Sequence, residues 1–353
     1  MTEPLLTVSD LRVSFAGSEG EVHAVRGVDL ALAPHEVLGV VGESGSGKSV
    51  TALAVMGLLA RNARIKGSVR LEGRELLGLK ERALAAVRGA SIAMIFQDPL
   101  TSLNPVYKVG WQIEEALSAH RDLTKDELRA ETIHLLEMVG IPRASSRVND
   151  YPHEFSGGMR QRVVIAIAMA NNPGVILADE PTTALDVTVQ AQVLDALKNA
   201  LERSGAALIL ITHDLGVIAG LADRVAVMYA GRVVEIGSAD DIFYRPAMPY
   251  THGLLGSVPR VDDDGGGRLR QIPGAPPSMV GTKPGCPFAP RCPLRVDACL
   301  ETEPELRLVS IGGDGSAQQG HRAACHLADQ VVTMSIGSMF SGSSADPEEP
   351  PAP

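Results

Sequence analysis

Short apolar runs alternate with longer amphipathic segments rich in Ala and Leu over residues 1–255. This alternation is typical of the strands and helices of an α/β domain. The apolar runs are four to six residues long and are bounded by turn or helix signals. We therefore predict a mostly parallel, buried sheet with strands at residues 36–41, 92–96, 175–178, 208–212 and 224–229.

The pattern changes at two places along the chain. Between residues 99 and 155 the β character disappears, and helical periodicity over 109–119 and 125–139 predicts a helical subdomain at about 99–165. After residue 249 the sequence becomes rich in Pro and Gly, which is typical of linkers and loops. We predict one α/β domain over residues 1–255, a small Pro-rich extension over 256–330 and a disordered tail over 331–353.

The composition excludes several classes of protein. Of the 353 residues 45% are apolar, which is enough for a sizeable core in about two domains. No run of about 18 uninterrupted apolar residues is present, so the sequence predicts no membrane-spanning helix. The N-terminal segment lacks the pattern of a secretion signal, and we expect a protein that stays in the cytoplasm. A net charge of −10 and an aromatic content of 3% disfavour nucleic acid as a partner.

Residues 42–49 match the phosphate-binding pattern G-x-x-x-x-G-K-[ST], between an apolar strand and a helical segment at 49–59. Glycines let the backbone curl so that its N–H groups point inward, and a helix N-terminus favours a bound anion. Lys48 is predicted to reach the β- and γ-phosphates of a nucleotide, and the Ser49 hydroxyl to bind Mg²⁺. The predicted loop consists of Gly42, Glu43, Ser44, Gly45, Ser46, Gly47, Lys48 and Ser49.

A second apolar strand ends in two carboxylates, Asp179 and Glu180. This arrangement suits the Walker B motif that accompanies a phosphate-binding loop. Asp179 is predicted to hold Mg²⁺ directly or through water, and Glu180 to face the attacking water as the base. The plainer interpretation is an ordinary strand that enters a loop. The phosphate-binding pattern upstream in the same chain argues against it.

Between these two motifs, residues 155–162 read Phe-Ser-Gly-Gly-Met-Arg-Gln-Arg and precede a helical run over 163–170. With Phe for Leu and Met for Gln, they resemble the LSGGQ signature of ABC-type ATPases. The resemblance implies an ABC-type nucleotide-binding domain that hydrolyses ATP with Mg²⁺. Two such domains meet head to tail, and each ATP lies between one phosphate-binding loop and the other signature helix. Ser156, Gly157 and Gly158 would then face a γ-phosphate.

The same resemblance assigns roles to four further residues. Gln97 matches the Q-loop, which touches Mg²⁺ or water and relays the nucleotide state to the membrane subunits. Asp186 matches the D-loop, which crosses the dimer interface. His213 matches the switch histidine that contacts the γ-phosphate, whereas a histidine at a strand end is more often a structural hydrogen-bonding group. Phe15 resembles the aromatic residue that stacks on adenine, and it is equally well explained as a core residue.

Longer stretches narrow the resemblance to the ATP-binding subunits of oligopeptide, dipeptide and nickel permeases. These stretches are residues 97–105, the signature and residues 181–190, and the likeness continues through the extension to about residue 328. Such permeases usually pair two different ATPase subunits, and Met159 is typical of the first. The resemblance implies import of peptides from a peripheral position on the cytoplasmic face of the cell membrane. The implied partners are a second ABC ATPase subunit, two membrane permease subunits that dock on the helical insert, and an extracytoplasmic solute-binding protein.

All four cysteines of the chain lie in the extension, at Cys286, Cys292, Cys299 and Cys325. Four thiolates can hold a tetrahedral zinc ion or an iron–sulfur cluster, and the paired C-x-x-C elements of zinc ribbons are absent. Relatives in the resembled family carry a 4Fe–4S cluster at these positions, which favours the cluster over zinc. Disulfides are disfavoured in a reducing compartment, while unligated thiols stay open, as does a ligand role for His321 or His326.

Several functions are compatible with these motifs. The first is an ATPase that powers peptide import, with nickel or another small solute as the alternative cargo. The second is a soluble ABC ATPase that acts on DNA or ribosomes, which the acidic charge and the permease-like extension disfavour. The third is a module that binds ATP without hydrolysing it, which the presence of Glu180 and His213 disfavours.

Overall fold

A computed structural model describes residues 3–18, 20–183, 185–257, 272–281, 284–310, 317–336 and 338–340 of the chain. Contacts divide these residues into two units. Unit 1 comprises the residues up to 233 together with 278–281. Unit 2 comprises residues 234–277 and the residues described beyond 281. The predicted boundaries at 255 and 330 follow changes in composition rather than contacts, and they stay predictions.

The described part of unit 1 contains both strands and helices. In chain order, its strands are β1 (Leu6–Gly17), β2 (Gly20–Leu32), β3 (Val37–Val41), β4 (Ala63–Leu71), β5 (Arg74–Glu75), β6 (Ile92–Ile95), β7 (Val175–Asp179), β8 (Ala207–Ile211) and β9 (Arg224–Tyr229). Its helices are α1 (Lys48–Val55), α2 (Glu81–Ala85), α3 (Pro99–Ser102), α4 (Val109–Ser118), α5 (Lys125–Met138), α6 (Ala144–Arg147), α7 (Gly157–Met169), α8 (Val187–Ser204) and α9 (Leu215–Ala219).

A parallel sheet in the order β9-β3-β8-β7-β6 forms the centre of unit 1. All of its neighbouring strands pair in parallel, and most of its residues are buried. The five predicted strands match it to within one or two residues at their ends, and the prediction of an α/β fold is confirmed. Because the strands are parallel, the residues that follow β3, β7 and β8 come together at one edge of the sheet.

A second, antiparallel sheet has the order β2-β1-β4-β5. The apolar pattern does not predict it, because the register of β1 against β2 shifts between Val8 and Leu11. Asp10, inside this bulge, has a φ of +43°. Val8 and Leu11 are both buried although they lie three positions apart, which breaks the two-residue period of a strand.

The helices α3 to α7 lie between β6 and β7 in the chain, as the predicted helical insert requires. Helix α1 ends at Val55, before residue 59, because Gly57 follows with a φ of +63°. Helix α7 begins earlier than the predicted run at 163, since the Ser156 hydroxyl accepts a hydrogen bond from the Met159 N–H and caps the helix.

Unit 2 contains short elements around a small apolar core. Within its described ranges, the elements are β10 (Arg232–Ser238), which begins at the end of unit 1, β11 (Arg307–Ser310), β12 (Ala317–Ala323), α10 (Ala239–Tyr244), α11 (Pro249–Gly256), α12 (Ala298–Glu301) and α13 (Ala328–Val331). Strand β12 pairs antiparallel with both β10 and β11. A cluster of buried residues comprises Ala247, Val309, Ala323, Ala328 and Val332.

Parts of the predicted linker and tail, residues 258–271 and 341–353, lie outside the described residues. Two residues of the predicted tail, Val331 and Val332, are buried. No helix in the described ranges is long and apolar enough to cross a membrane.

Candidate active site

The loop between β3 and α1 requires glycine at two positions. Gly42 and Gly47 have φ values of +152° and +101°. A Cβ on Gly42 would overlap the carbonyl oxygen of Met228, and a Cβ on Gly47 would lie 2.5 Å from that of Ala24. A side chain at either position would push the loop away from β9 or β2. The neighbouring strands therefore fix the backbone of the loop.

Lys48 is buried behind this loop, with 6% of its surface exposed. Its Nζ donates hydrogen bonds to the carbonyl oxygens of Gly42 at 2.7 Å and Glu43 at 3.0 Å. Burial lowers the pKa of Lys48, and the negative charges of Glu180 and Asp179 act in the opposite direction. The nearby carboxylates thus favour a charged ammonium group, which is suited to bind a phosphate oxygen.

Ser49 and Asp179 come from different elements and meet beside Lys48. The Ser49 hydroxyl donates a hydrogen bond to Asp179 Oδ1 at 2.9 Å. Burial raises the pKa of Asp179, and the charge of Glu180 adds to this effect, whereas Ser49 and Lys48 oppose it. A hydroxyl and a carboxylate oxygen are the kinds of ligand that Mg²⁺ prefers. The pair therefore fits the predicted Mg²⁺ site.

Glu180 interacts with three polar side chains. Thr183 Oγ1 and Gln97 Nε2 both donate to Glu180 Oε2, at 2.8 and 3.1 Å. His213 Nδ1 lies 3.3 Å from Glu180 Oε1. Burial by itself raises the pKa of Glu180, but the hydrogen bonds with Thr183 and His213 outweigh it, and the net pKa is lowered. The carboxylate is thus kept ionised, as a general base must be.

The backbone of Glu180 is in the left-handed region, with a φ of +48°. Such a conformation is uncommon for a residue other than glycine and is costly unless neighbouring contacts impose it. Here the Glu180 N–H donates to the carbonyl oxygen of Ile211 at 2.8 Å, which ties the residue to the end of β8. This contact holds the backbone from which the side chain reaches Gln97 and His213.

An open cleft of about 530 Å³ brings most of the predicted residues together. It is lined by Ser44, Gly45, Ser46, Gly47, Lys48, Ser49, Val50, Gln97, Glu180 and His213. Gly42, Glu43 and Asp179 contact this set through the hydrogen bonds of Lys48 and Ser49. The cleft and its direct contacts therefore combine a curled backbone loop, a buried cation, a hydroxyl–carboxylate pair and an ionised carboxylate.

Besides Gly42, Glu43 and Asp179, five residues predicted for the nucleotide site are not among those that line this cleft: Phe15, Ser156, Gly157, Gly158 and Asp186. Phe15 is partly buried in β1 and pairs with Val22 of β2. Ser156 and Asp186 cap helices α7 and α8. A Cβ on Gly158 would overlap the side chain of Val189, so this glycine lets α7 approach α8. The D-loop prediction also covers Ala184, which lies outside the described residues.

Besides Gln97, two residues that the sequence analysis does not single out contribute to the positions of Glu180 and His213. The Thr183 hydroxyl donates a hydrogen bond to Glu180. In the sequence, Thr183 is marked only by its position in the Pro-Thr-Thr segment that follows β7 and Glu180. Asp214, next to His213, accepts a hydrogen bond from Gln190 Nε2 at 3.0 Å, and its N–H donates to the Thr212 hydroxyl at 3.0 Å. These bonds fix the backbone on both sides of His213.

An Asp179→Asn variant is expected to melt at a higher temperature than the wild type at pH 7 in the absence of nucleotide. The folded-state pKa of Asp179 is raised, so ionising this group costs stability as the pH rises through that pKa. The gain should disappear towards about pH 4, the ordinary pKa of the group in the unfolded chain. Thermal melting from pH 4 to 8 measures it, with the exposed Asp122→Asn as control. A lower Tm for the variant at pH 7 would contradict the expectation.

The four cysteines of unit 2 do not form disulfides. Burial raises the pKa of Cys292 to about 11 and that of Cys325 to about 12, and the other thiolates add to both shifts. The Leu327 N–H donates a hydrogen bond to Cys325 Sγ at 3.3 Å. Over the described ranges, no three His, Cys, Asp or Glu side chains are arranged to hold a metal ion.

The two histidines near Cys325 have other partners. His321 Nε2 lies 2.8 Å from Glu235 Oε1, and both side chains are fully buried. His326 Nε2 lies 3.0 Å from the carbonyl oxygen of Thr302. Neither arrangement favours a ligand role beside the cysteines.

Two protein-family models match the chain. The model described as "ABC transporter" matches residues 25–183, and the one described as "Oligopeptide/dipeptide transporter, C-terminal region" matches residues 234–299. Among solved structures, the chain is similar to MJ0796, a dimeric bacterial ABC transporter cassette, with a TM-score of 0.59 and 27% identity. That similarity covers 66% of this chain and 98% of the cassette. The fold and the cleft thus define an ABC-type ATP-binding protein.

Curated relatives narrow the class to one family. Oligopeptide transport ATP-binding protein OppD of Salmonella typhimurium is 53% identical over 300 residues, which is 85% of this chain and 89% of OppD. Dipeptide transport ATP-binding protein DppD of Bacillus subtilis is 48% identical over 330 residues, 93% of this chain and 96% of DppD. OppD of Mycobacterium tuberculosis is 53% identical over 338 residues, but the chain spans only 54% of its length. The chain belongs to the ATP-binding proteins of ABC-type oligopeptide and dipeptide transporters.

Proposed function

We propose that this protein is the ATP-hydrolysing subunit that powers the import of di- and oligopeptides through an ABC permease. One observation carries the ATPase part: Lys48, the Ser49–Asp179 pair and Glu180 meet in one cleft. The peptide part is supported by the match of residues 234–299 to the oligopeptide/dipeptide transporter region and by the names of the relatives. The protein would act at the cytoplasmic face of the membrane as a peripheral subunit.

In the proposed reaction the chain positions the phosphates and moves one proton. The loop N–H groups and Lys48 hold the β- and γ-phosphates, and Ser49 and Asp179 would hold Mg²⁺, which neutralises phosphate charge when bound. Glu180 accepts a proton from the attacking water, and Gln97 and His213 keep that carboxylate oriented. Positioning and charge neutralisation supply most of the rate enhancement in this class of reaction.

The proposed active assembly contains a second ABC ATPase subunit of a different sequence. Ser156 and Gly157 are exposed and lie outside the cleft of their own chain, so a partner chain would supply the signature segment. Val187, next to Asp186 at the start of α8, has 83% of its surface exposed. An apolar residue this exposed beside the predicted D-loop is consistent with an interface.

An aromatic surface in the helical insert is the proposed docking site for the membrane permease subunits. It consists of Val106, Tyr107 and Trp111, the only tryptophan of the chain. Their exposed fractions are 71%, 44% and 43%, and the two rings stack with centroids 4.1 Å apart. Exposed aromatic groups of this kind are enriched at the centres of protein interfaces.

A Trp111→Ala variant is expected to bind the permease subunits about 10-fold or more weakly, as loss of a central aromatic residue commonly does. Its affinity for MgATP should stay at the wild-type value, because Trp111 does not line the cleft. Co-purification from membranes and nucleotide titration measure the two effects. The control is Tyr244→Ala, an aromatic residue with 75% of its surface exposed elsewhere in the chain. Equal loss of binding in both variants would contradict this docking site.

The cargo is tested in the assembled transporter. The two ATPase subunits, the two permease subunits and the solute-binding protein are reconstituted together in lipid vesicles. A peptide-loaded solute-binding protein should stimulate ATP hydrolysis and deliver labelled peptide into the vesicle. Stimulation by Ni²⁺ or another small solute, with none by peptides, would replace the peptide proposal by the alternative cargo. If the chain hydrolyses ATP at the same rate with and without the permease subunits, the soluble class of ABC ATPase would be favoured instead.

The four cysteines are proposed to hold a 4Fe–4S cluster. The support for this proposal is that four free thiols lie in the same extension and that the Leu327 N–H donates to Cys325 Sγ at 3.3 Å, the kind of hydrogen bond that the sulfur atoms of such a cluster accept. In the described structure these thiols do not form a ready metal site, so the cluster would have to draw them together. Cys286, Cys292, Cys299 and Cys325 would be its ligands. The cluster would cross-link and so stabilise a Pro-rich segment that has few apolar residues of its own.

Iron and labile-sulfide analysis of anaerobically purified protein should find about four of each per chain, as a 4Fe–4S cluster requires. Cys299→Ser should lose most of the iron and the visible absorbance, because it removes one of the four thiolates. His326→Ala, which alters a side chain beside Cys325, should keep both. Zinc without iron would overturn the cluster in favour of the alternative metal. Protein that contains neither iron nor zinc would contradict both metal sites and would indicate that the four cysteines are unligated structural thiols.

A further inference from the structure

A short segment of the C-terminal region belongs to unit 1. The chain leaves unit 1 after Val233 and returns to it with Ser278–Gly281, here called the return segment. It lies within the region that matches the oligopeptide/dipeptide transporter model and outside the one that matches the ABC transporter model. The proposed function in peptide import assigns no role to this segment.

The return segment pairs with the edge strand β2. The His23 N–H donates to the carbonyl oxygen of Met279 at 2.9 Å, and the Gly281 N–H donates to that of Glu21 at 3.2 Å. Val22 and Val280 form an antiparallel bridge between these bonds. An edge strand presents backbone groups that need partners, and the return segment supplies them over this stretch of β2.

The next residues of β2 contact the phosphate-binding loop directly. The carbonyl oxygen of Ala24 lies against both Gly47 and Gly231, so that neither could carry a Cβ without a clash. The Gly231 N–H donates to the carbonyl oxygen of Ser46 at 3.0 Å, and the Arg26 N–H donates to that of Gly231 at 2.7 Å. Strand β2, the turn after β9 and the phosphate-binding loop therefore share one set of contacts, here called the loop junction (Ala24, Arg26, Ser46, Gly47 and Gly231).

Met279 brings the return segment into contact with the same junction. A Cβ built on Gly231 would lie 3.1 Å from Met279 Cε and 2.9 Å from the carbonyl oxygen of Ala24. The Met279 side chain thus packs against the residue that bonds Ser46. The backbone of Met279 also bonds His23, the neighbour of Ala24 in β2. The segment therefore contacts the junction through its side chain and supports it through its backbone.

We propose that the return segment is a positioning element of the nucleotide site, with Met279 as its key residue. It holds β2 and Gly231 in place, and these in turn hold the Ser46 and Gly47 backbone that faces the phosphates. No residue of the segment lines the cleft or touches Glu180 in the contacts described. The segment consequently sets the affinity for nucleotide and leaves the hydrolytic step unchanged.

The test compares Met279→Ala with Met138→Ala in the full-length chain. Met138 is also a partly exposed methionine of unit 1, and it lies at the end of α5. Met279→Ala should raise the Kd for MgATP about five-fold, the effect expected from losing one partly buried contact. In the assembled ATPase it should raise KM by a similar factor while kcat at saturating ATP stays within about two-fold of the wild type. Met138→Ala should change neither constant.

Two further variants separate positioning from general stability. Met279→Leu keeps most of the side-chain volume and should restore the wild-type Kd. Gly231→Ala should weaken MgATP binding by itself. Combined with Met279→Ala, its effect should be less than additive, because Met279 Cε is one of the two groups that the new methyl would meet. A lower Tm for Met279→Ala with unchanged Kd and KM would overturn the proposal, as would a fall in kcat with KM unchanged.

Discussion

The Glu180→Gln variant is expected to bind MgATP with wild-type affinity and to hydrolyse it about 10²- to 10⁴-fold more slowly, the range that a general base contributes. The amide has nearly the shape of the carboxylate and can still accept a hydrogen bond from Thr183. It cannot take the proton of the attacking water. The change therefore removes the base and keeps the cleft.

The pH dependence of hydrolysis provides an independent test of the role of Glu180. The pKa of Glu180 is lowered because its hydrogen bonds with Thr183 and His213 outweigh burial. The rate should therefore not fall on account of Glu180 until the pH drops below the ordinary range of a glutamate, at about 4. A pH profile of wild-type hydrolysis checks this, provided the rate is compared at saturating MgATP.

The control for Glu180→Gln is Glu202→Gln, which neutralises an exposed carboxylate on α8. It should hydrolyse ATP at the wild-type rate. Nucleotide binding is measured by titration with MgATP, and turnover by phosphate release from the assembled complex. Near-normal turnover in Glu180→Gln would show that a group other than Glu180 acts as the base. Loss of MgATP binding would instead show that the carboxylate shapes the site.

The parallel sheet and the phosphate-binding loop could be predicted because their signals are local. Each strand consists largely of one short apolar run, and the glycines, Lys48 and Ser49 lie within one octapeptide. The antiparallel sheet could not be predicted in the same way. Its first strand has a bulge at Asp10 that moves two buried residues out of a two-residue period.

The predicted roles of Gln97 and His213 came from resemblance, since a lone glutamine or histidine carries no local signal. The structure adds that each side chain lies beside a different oxygen of Glu180: Gln97 donates to Oε2, and His213 Nδ1 lies near Oε1. It also adds the hydrogen bond from Thr183 to Glu180 and the left-handed backbone of Glu180. A conformation of this kind is imposed by neighbouring strands, so the sequence of the segment does not reveal it.

The return segment is the clearest case of a contact that no local pattern contains. Its four residues lie in a Pro-rich stretch that reads as a linker, yet Met279 and Val280 pair with β2, near the other end of the chain. The spacing of the cysteines has the same limitation. Four thiols in sequence define a set of possible ligands, whereas their arrangement depends on how the extension folds.

The Lys48→Met variant is expected to weaken MgATP binding about 100-fold, the effect of losing one or two hydrogen bonds from a charged group. Methionine has no N–H donor, so the charge-assisted hydrogen bonds that the buried ammonium group would give to the phosphates are lost. Methionine keeps the length and most of the volume of the side chain. It also removes the hydrogen bonds that the carbonyl oxygens of Gly42 and Glu43 accept from Lys48, a cost that the removal of a buried charge offsets.

The wild type should gain thermal stability in MgATP, because a ligand that binds only the folded state stabilises it by an amount that grows with its concentration over Kd. That gain should vanish in Lys48→Met at concentrations that saturate the wild type. Its Tm without nucleotide should stay close to that of the wild type, because burial disfavours the charge that is removed. Lys198→Met, an exposed lysine on α8, is the matched control and should keep the full gain. A rise in Tm with MgATP that survives in Lys48→Met would mean that the phosphates are held without the buried ammonium group.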